Sequence, residues 1–141
     1  MNHLFTFPKA ERLLHRKQID KLFNEGLSFN LNPFKVYYIL EPTDAEMPVK
    51  VLITASRKKF KRAVDRNRLR RMTREAYRLH KSLLLEKAAT VPGSLHIGFV
   101  YVGTQKDMAY ADLEKQVIRC LERLGGILNN SSDRSSGSGR P

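Results

Sequence analysis

Cysteine, acidic residues and long apolar runs are all scarce in this chain of 141 residues. Cys120 is the only cysteine, so an intramolecular disulfide is impossible and a cysteine-ligated zinc site is excluded. No apolar run approaches the roughly twenty residues that span a bilayer, and the amino terminus lacks the long apolar stretch of a signal peptide. We therefore expect a soluble, cytoplasmic protein that has no membrane partner.

The shortage of acids leaves the chain strongly basic, with 26 Lys and Arg against 14 Asp and Glu and a net charge of +12. Most of the excess lies in residues 57–81, which contain twelve Lys or Arg and only two acids, Asp65 and Glu75. Ten of the twelve net positive units therefore belong to one stretch. Such a distribution is typical of proteins that bind nucleic acid or an anionic membrane.

Hydrophobic periodicity predicts that a helix over about residues 63–87 carries this charge. One narrow arc of the helix holds apolar residues that should face a core: Leu69, Met72, Ala76, Leu79 and Leu83. The opposite arc holds Asn67 and a row of cations: Arg70, Arg71, Arg74, Arg78 and Lys81. A merely solvated helix would intersperse Glu at i±4, and only Glu75 is available. An unneutralised row of like charges favours a polyanionic partner, nucleic acid above all.

The first half of the chain otherwise predicts one helix and two or three strands. Ile19, Leu22 and Phe23 indicate a helix over about 16–25, which Gly26 should end with a left-handed cap. Two-residue periodicity predicts strands over 34–40 and 49–54, paired as an antiparallel hairpin. Ser28 and Phe29 are candidates for a short extra strand.

The second half predicts a buried strand and a last helix. The apolar run 95–102 indicates a strand that is buried on both faces. Leu113, Val117, Leu124 and either Cys120 or Leu121 indicate an amphipathic helix that ends at Gly125-Gly126. Residues 129–141 predict a disordered polar tail, so the folded domain should span 1–128. The order α-β-β-(β)-α-β-α predicts a single-domain α/β (α+β) sandwich.

No catalytic or metal-ligating constellation is visible in the sequence. The four histidines are scattered without metal-ligand spacing: His3, His15, His80 and His96. There is no phosphate-loop glycine pattern, no G-x-S-x-G and no H-E-x-x-H. We expect no catalytic residue and no protein-bound metal, so any reaction that this chain serves must draw its reacting groups from elsewhere.

The segment FKRAVDRNRLRRMTREAYR resembles the signature helix of the protein subunit of bacterial ribonuclease P. Its centre is Arg66-Asn67-Arg68, a triplet that is weak evidence by itself. The extended pattern is much more specific, with Ala63-Val64 before the triplet, R-L-R-R-x-x-R-E after it and the Ser56–Lys59 run upstream. Together with Glu11-Arg12-Leu13 and the predicted strands, the resemblance covers most of residues 9–125.

The resemblance implies an endoribonuclease holoenzyme in which a catalytic RNA and its Mg²⁺ ions remove the 5′ leader of precursor tRNA. The protein would bind both the RNA subunit and the leader, with Mg²⁺ held mainly by the RNA and with no obligatory protein partner. The resemblance also implies a ribosomal-protein-S5-domain-2-like fold with a central four-stranded mixed sheet. A left-handed βαβ crossover would belong to that fold, against the usual rule.

The resemblance also assigns site residues. Contacts to the RNA subunit carry over onto Arg66, Asn67, Arg68, Arg70, Arg71 and Arg74. We extend this surface to the basic loop before the helix, with Lys58, Lys59, Lys61 and Arg62, although Lys61-Arg62 replace a Gly-Asn pair of many family members. Contacts to the precursor leader fall on a cleft between the first helix and the sheet: Ile19, Phe23, Phe34 and Tyr37. Such a cleft suits a single strand because base stacking on aromatic rings contributes about 1–3 kcal/mol per base for any sequence. Ile19 departs from the family, which commonly has Phe there, and it offers no π-face.

Two other functions remain open. A noncatalytic RNA-binding protein, such as a ribosomal or assembly protein, would share the basic helix and would need no aromatic cleft. A DNA-binding module would need varied base-reading side chains, whereas this helix is nearly all Arg on its exposed side.

Overall fold

The computed structural model describes residues 9–42, 47–105 and 107–135, with side chains described as far as Asn129. A 3₁₀ turn at Lys9–Glu11 comes before the helices and strands, which we number in chain order. They are α1 (Arg16–Glu25), β1 (Leu27–Leu31), β2 (Phe34–Glu41), β3 (Val49–Ala55), α2 (Ala63–His80), α3 (Ser82–Ala88), β4 (Ser94–Tyr101) and α4 (Tyr110–Ser135). The predicted order of elements and the mixed four-stranded sheet are confirmed.

The sheet has the strand order β1-β2-β4-β3. β4 lies in the middle, antiparallel to β2 and parallel to β3. The predicted hairpin of β2 with β3 is therefore wrong, and β2 forms its hairpin with β1, which contains Ser28 and Phe29. Local periodicity identified the strands but could not identify their partners, because β3 and β4 meet only after α2 and α3 have crossed the sheet.

The connection from β3 through α2 and α3 to β4 is left-handed. The Val51 side chain lies in the core with α2, and its carbonyl oxygen accepts a hydrogen bond from the Leu13 N–H (2.9 Å) on the side away from β4. When a strand of L-residues is viewed with its carboxyl end at the top, a residue whose side chain faces the viewer directs its N–H and C=O to the right. β4 therefore lies to the left of β3 with α2 in front, which makes the crossover left-handed, as the resemblance implied.

The core lies between one face of the sheet and the helices α2, α3 and α4. β4 is buried along both faces, as predicted, and the Phe99 ring lies 5.9 Å from Phe34 and 6.2 Å from Tyr77. α4 contributes the predicted residues, all buried: Leu113, Val117, Cys120, Leu121 and Leu124. Burial raises the pKa of the Cys120 thiol to about 12. No helix in the described part of the chain is both long and apolar enough to cross a membrane.

The basic helix differs from its prediction at the carboxyl end. α2 ends at His80, and α3 begins two residues later. Its buried stripe is Leu69, Thr73, Ala76 and Tyr77, whereas Leu79 and Leu83 are exposed. Thr73 is compatible with this stripe because its hydroxyl donates to the Leu69 carbonyl oxygen (2.8 Å).

Lys81, predicted on the exposed cationic row, is instead fully buried. Its ammonium donates to Glu11 Oε1 at 2.7 Å, and Glu11 is itself buried in the amino-terminal turn. The helical wheel failed here because it placed Leu79 and Leu83 on the buried arc, whereas the buried stripe passes through Thr73 and Tyr77, and Lys81 follows Tyr77 by one turn. The buried ion pair ties the amino-terminal segment to the junction of α2 and α3.

Gly26 ends α1 as predicted, but not through a left-handed cap. Its φ of −72° and ψ of 163° are extended, and its N–H donates to the Leu22 carbonyl oxygen. A Cβ at this position would come within 2.4 Å of Leu22 O and 2.9 Å of Tyr38 O. Glycine is needed because the carbonyl oxygens of Leu22 in α1 and Tyr38 in β2 leave no room for a side chain.

α4 continues beyond the predicted end. Gly125 and Gly126 lie inside the helix, Leu128 is buried, and the backbone stays helical to Ser135. The predicted tail 129–141 is therefore corrected as far as Ser135, while residues 136–141 lie outside the described part of the chain. Two glycines cost the helix some stability but did not end it, because the packing of Leu124 and Leu128 continues across them.

Candidate RNA-binding surfaces

The loop before α2 presents a cluster of exposed cations: Arg57, Lys58, Lys59, Lys61 and Arg62. Phe60 anchors the loop, because its ring is buried 5.7 Å from the Tyr101 ring. The Ser56 hydroxyl accepts hydrogen bonds from the backbone N–H groups of Lys58 (3.2 Å) and Lys59 (3.4 Å). The loop is thus held by its ends and its aromatic anchor, while the charged side chains remain at the surface.

Five predicted contact residues also form bonds within the protein, and the first is Lys59, whose ammonium donates to the Val102 carbonyl oxygen. Arg66 folds back so that Nη1 donates to the carbonyl oxygens of Phe60 (2.7 Å) and Lys61 (3.0 Å). Arg68 Nη2 donates to the Met108 carbonyl oxygen (3.1 Å), which joins α2 to the segment before α4. Arg70 donates to Asn67 Oδ1. Since each guanidinium has five N–H donors, these bonds orient the Arg side chains and leave donors for a ligand.

Arg74 lies at the centre of a cluster of like charges. Partial burial and the neighbouring guanidinium groups of Arg12, Arg70 and Arg71 lower the pKa of Arg74. Neither Arg71 nor Arg74 forms an ion pair with any residue that the structure describes. Arg12 and Arg74 border an open cleft of about 190 Å³ with apolar walls that include Leu14, Val51 and Leu52. This cluster repels itself and suits an anion such as an RNA backbone.

The cationic row ends after Arg74. Arg78, predicted to belong to it, forms an ion pair with Glu75 at 2.6 Å, and Lys81 is buried with Glu11. His80 approaches Glu114 of α4 at 2.8 Å. The open positive surface therefore comprises the loop before α2 and the first three turns of that helix.

A second surface lies where α1 crosses the other face of the sheet. The rings of Phe23 and Tyr37 meet edge to face, with centroids 4.7 Å apart, and both are partly exposed. Lys35 Nζ lies 5.2 Å from the Tyr37 centroid. Gly98, paired with Tyr37, lets α1 approach, because a Cβ there would lie 3.1 Å from Leu22 Cδ2. Ile19 is also partly exposed, one turn before Phe23. We call this surface the aromatic cleft.

Phe34 does not belong to the aromatic cleft. It is 1% exposed and packs in the core against Phe99 and Tyr101, at 5.9 and 5.7 Å. Its prediction as a leader contact is corrected because side chains alternate along a strand, so that Phe34 and Tyr37 lie on opposite faces of β2.

Sequence reasoning missed two residues at these surfaces. Lys35 could have been found, because it shares the two-residue period with Tyr37. Arg12 could not, since it reaches Arg74 only after the amino-terminal segment has paired with Val51 at the edge of β3. His3 lies outside the described residues, and among those described no three His, Cys, Asp or Glu side chains group so as to hold a metal ion.

Comparisons with known proteins agree with this arrangement. The family model for Ribonuclease P matches residues 7–125. A ribonuclease P protein component of Porphyromonas gingivalis is 33% identical over 128 residues, covering 91% of this chain and 93% of the relative. One of Chlorobaculum tepidum is 35% identical over 132 residues, covering 89% and 84%.

Solved structures show the same fold. A mutant RNase P protein of Staphylococcus aureus matches with a TM-score of 0.66 and 23% identity, covering 82% of this chain and 88% of that one. The RNase P protein of Thermotoga maritima matches with a TM-score of 0.63 and 23% identity, covering 80% and 96%. Because the family model and the relatives both span most of the chain, this protein belongs to the family of ribonuclease P protein components.

Proposed function

We propose that this chain serves ribonuclease P through two separate surfaces, one for the RNA subunit and one for the leader of precursor tRNA. Its family gives the activity: ribonuclease P is an endoribonuclease, and tRNA 5′ processing is the role of the family. What is proposed here is which residues of this chain carry that role, and which partners they touch.

The RNA-subunit surface consists of the loop before α2 and the exposed side of that helix. Its residues are Lys58, Lys59, Lys61, Arg62, Arg66, Asn67, Arg68, Arg70, Arg71 and Arg74. The observation that carries the proposal is the crowding of guanidinium groups around Arg74, which lowers its pKa, while neither Arg71 nor Arg74 forms an ion pair with a described residue. Folded RNA is bound through phosphates and 2′-hydroxyl groups, so a row of Arg can hold it without reading sequence.

The leader surface is the aromatic cleft, with Phe23, Tyr37 and Ile19. Phe23 and Tyr37 offer partly exposed rings to unstacked bases, and the Lys35 ammonium lies over the Tyr37 ring, where it can meet a phosphate. Stacking of this kind tolerates any base, which suits an enzyme that acts on many precursors. We leave Phe34 out of this surface because its ring is buried.

Mg²⁺ fits the RNA better than this protein. The exposed side of α2 is cationic, and the described residues bring no three ligating side chains together. We therefore propose that the metal of the reaction is held mainly by the RNA, whose phosphates the Arg side chains would partly neutralise. We also propose that the protein works in the cytoplasm and needs no further protein partner.

Reconstitution tests this function and the RNA-subunit surface together. The purified chain, added to its cognate RNA subunit at low Mg²⁺, is expected to promote removal of the leader from precursor tRNA. The variant Arg71→Ala/Arg74→Ala should bind the RNA subunit more weakly. The slope of log affinity against log salt should fall by about one for each phosphate that the variant no longer binds.

The matched control removes the same charge elsewhere. Lys115→Ala and Arg119→Ala alter exposed cations on α4 and should leave that slope almost unchanged. Equal slopes for the α2 and α4 double variants would remove the assignment of the RNA surface to α2. Failure to stimulate cleavage would contradict the function itself.

A further inference from the structure

The open cleft that Arg12 and Arg74 border lies where the amino-terminal segment meets the edge strand β3. We call it the Arg12–Arg74 cleft, and its volume is about 190 Å³. The segment is held there because Arg12 pairs in parallel with Val51 and the Leu13 N–H donates to the Val51 carbonyl oxygen (2.9 Å). Arg74 reaches the same cleft from α2. Three segments that lie far apart in the chain therefore form its walls.

The cleft brings two guanidinium groups of the same sign together. Both Arg side chains are exposed, so a ligand can reach them from solvent. After partial burial, the nearby charge of Arg12 is the largest of the effects that lower the pKa of Arg74. Each guanidinium presents its N–H donors in a planar fork that matches the oxygens of a phosphate. An anion in the cleft would relieve the repulsion between the two groups.

The remaining walls of the cleft are apolar and also accessible. Leu14 is 52% exposed, and Leu52 and Ile53 are partly exposed. Inorganic phosphate would leave these side chains in water, whereas the sugar or base attached to a phosphate would cover them. At about 190 Å³ the cleft is smaller than the about 300–1,000 Å³ of pockets that enclose a whole small ligand. A polymer that passes along the cleft therefore fits it better than a free small molecule.

We propose that the Arg12–Arg74 cleft binds one nucleotide of an RNA strand, with the phosphate on the two Arg side chains and the sugar or base on Leu14 and Leu52. The proposal rests on the proposed RNA-binding function and adds Arg12, Leu14 and Leu52 to the residues that contact RNA. RNA is favoured over an acidic protein segment because Arg74 already belongs to the proposed RNA-subunit surface, so the cleft continues that surface.

Two RNA strands lie within reach of the cleft. Leu52 pairs with Gly98, and Gly98 pairs with Tyr37, so two strand spacings of about 10 Å in total separate the apolar wall from the aromatic cleft. A leader that stacks on Tyr37 is therefore close enough to continue to Leu52. The RNA subunit is the other source, because it is proposed to bind Arg74. The chemistry of the bound nucleotide is the same in both cases.

Salt titrations separate the phosphate contact from the apolar contact. Arg12→Ala should weaken RNA binding about fivefold and lower the slope of log affinity against log salt by about one, because one phosphate contact is lost. Leu14→Asn should weaken binding about threefold with an unchanged slope, because an apolar contact releases no counterions. The matched controls are Arg119→Ala on α4 and Leu83→Asn on α3, where the Leu is 41% exposed. Both should keep the wild-type affinity and slope.

Each titration uses the full chain and measures two equilibria. One is assembly with the cognate RNA subunit, and the other is binding of precursor tRNA by the reconstituted holoenzyme, with mature tRNA as the reference. A leader source predicts that Arg12→Ala and Leu14→Asn weaken binding of precursor tRNA alone. A source in the RNA subunit predicts that both variants weaken assembly.

The proposal is overturned if Arg12→Ala keeps the wild-type slope in both equilibria, or if Leu14→Asn loses no more affinity than Leu83→Asn. It is also overturned if Arg12→Ala weakens only the binding of a poly-glutamate peptide, which would assign the cleft to an acidic protein segment. These failures leave the proposed function standing, because that function is tested by stimulated cleavage with the wild-type chain and by assembly of Arg71→Ala/Arg74→Ala.

Discussion

At the residue scale, the ion pair of Lys81 and Glu11 shows that a side chain predicted to be exposed can be buried. The twelve cations of residues 57–81 look equivalent in the sequence, but Lys81 is fully buried and bonded to Glu11 at 2.7 Å. A buried charge that loses its partner keeps its desolvation cost, which makes breaking such a pair much more harmful than losing a surface pair.

We predict that Glu11→Gln lowers the free energy of unfolding by about 3 kcal/mol, since it removes the carboxylate that pairs with the buried Lys81 ammonium. Urea unfolding followed by circular dichroism measures the change. Glu122→Gln, at an exposed position of α4, is the control and should cost less than about 0.5 kcal/mol. A similar small loss for Glu11→Gln would mean that the pair is solvated in solution.

His96 makes stability depend on pH. Burial, followed by the nearby charges of Lys50 and Lys21, lowers the pKa of the His96 imidazole, and Glu41 opposes this only in part. Below about pH 6.5 the unfolded chain takes up a proton that the native ring refuses. The unfolded state then binds more protons, so the free energy of unfolding should fall as the pH drops from about 6.5 through the lower native pKa.

Proton NMR of the His96 ring against pH checks this prediction, with unfolding measured in parallel at pH 7.5 and 5.5. His96→Asn should remove part of the loss of stability at the lower pH. A native His96 ring that titrates at or above about 6.5 would show that water or a neighbour stabilises its charged form.

At the element scale, two glycines show that the effect of a substitution depends on the space around the residue as well as on the helix or strand near it. Gly26 lies where α1 meets β1, with no room for a side chain against Leu22 O and Tyr38 O. Gly126 lies inside α4, and a Cβ there would meet nothing within 4 Å. The two positions therefore predict opposite responses to the same substitution.

We predict that Gly26→Ala destabilises the protein by about 2 kcal/mol or more, because backbone atoms must move apart. Gly126→Ala should stabilise it by about 0.5–1 kcal/mol, since Ala favours the helix and restricts the unfolded chain. Thermal unfolding of the two variants beside wild type gives both signs in one experiment. Stabilisation by both would show that α1 does not approach β2 as closely as described.

At the scale of the whole molecule, the sheet separates the two proposed RNA surfaces, which approach each other at the edge strand β3. The core face of the sheet carries α2, and the other face carries α1 and the aromatic cleft. Leu52 of β3 lines the open cleft that Arg74 borders. Leu52 pairs with Gly98 of β4, and Gly98 pairs with Tyr37 of β2. One edge strand therefore separates the Arg cluster from the face where the leader is proposed to lie.

Because the surfaces are separate, we predict that variants of each have separate effects. Tyr37→Ala should weaken holoenzyme binding of precursor tRNA by about fivefold or more, because a stacking ring is removed, and should hardly affect mature tRNA. It should leave assembly with the RNA subunit unchanged, while Arg74→Ala should weaken assembly. Binding measurements with precursor tRNA, mature tRNA and the RNA subunit test this prediction. An equal loss of affinity for precursor and mature tRNA would contradict the leader assignment.

The elements, their order, the charged helix and the family follow from the amino-acid sequence alone. These features are local or cumulative, so periodicity, breakers and the motif around Arg66-Asn67-Arg68 carry them. Phe23 and Tyr37 are assigned to the leader surface through the family resemblance, because their spacing alone does not distinguish a core position from a displayed one. The predicted end of α4 at Gly125-Gly126 was wrong, because packing of Leu124 and Leu128 outweighs the low helix propensity of glycine. The predicted end of α2 was also wrong, since α2 ends at His80.

The pairing of the strands, the exposure of each cation and the walls of the Arg12–Arg74 cleft became known from the folded chain. The insertion of β4 between β2 and β3, the burial of Lys81 and the core position of Phe34 each depend on segments far apart in the chain. The meeting of Arg12, Leu14 and Arg74 in one cleft depends on the path of the amino-terminal segment along β3. Such contacts reflect the geometry of the whole fold, and no local pattern of residues encodes them.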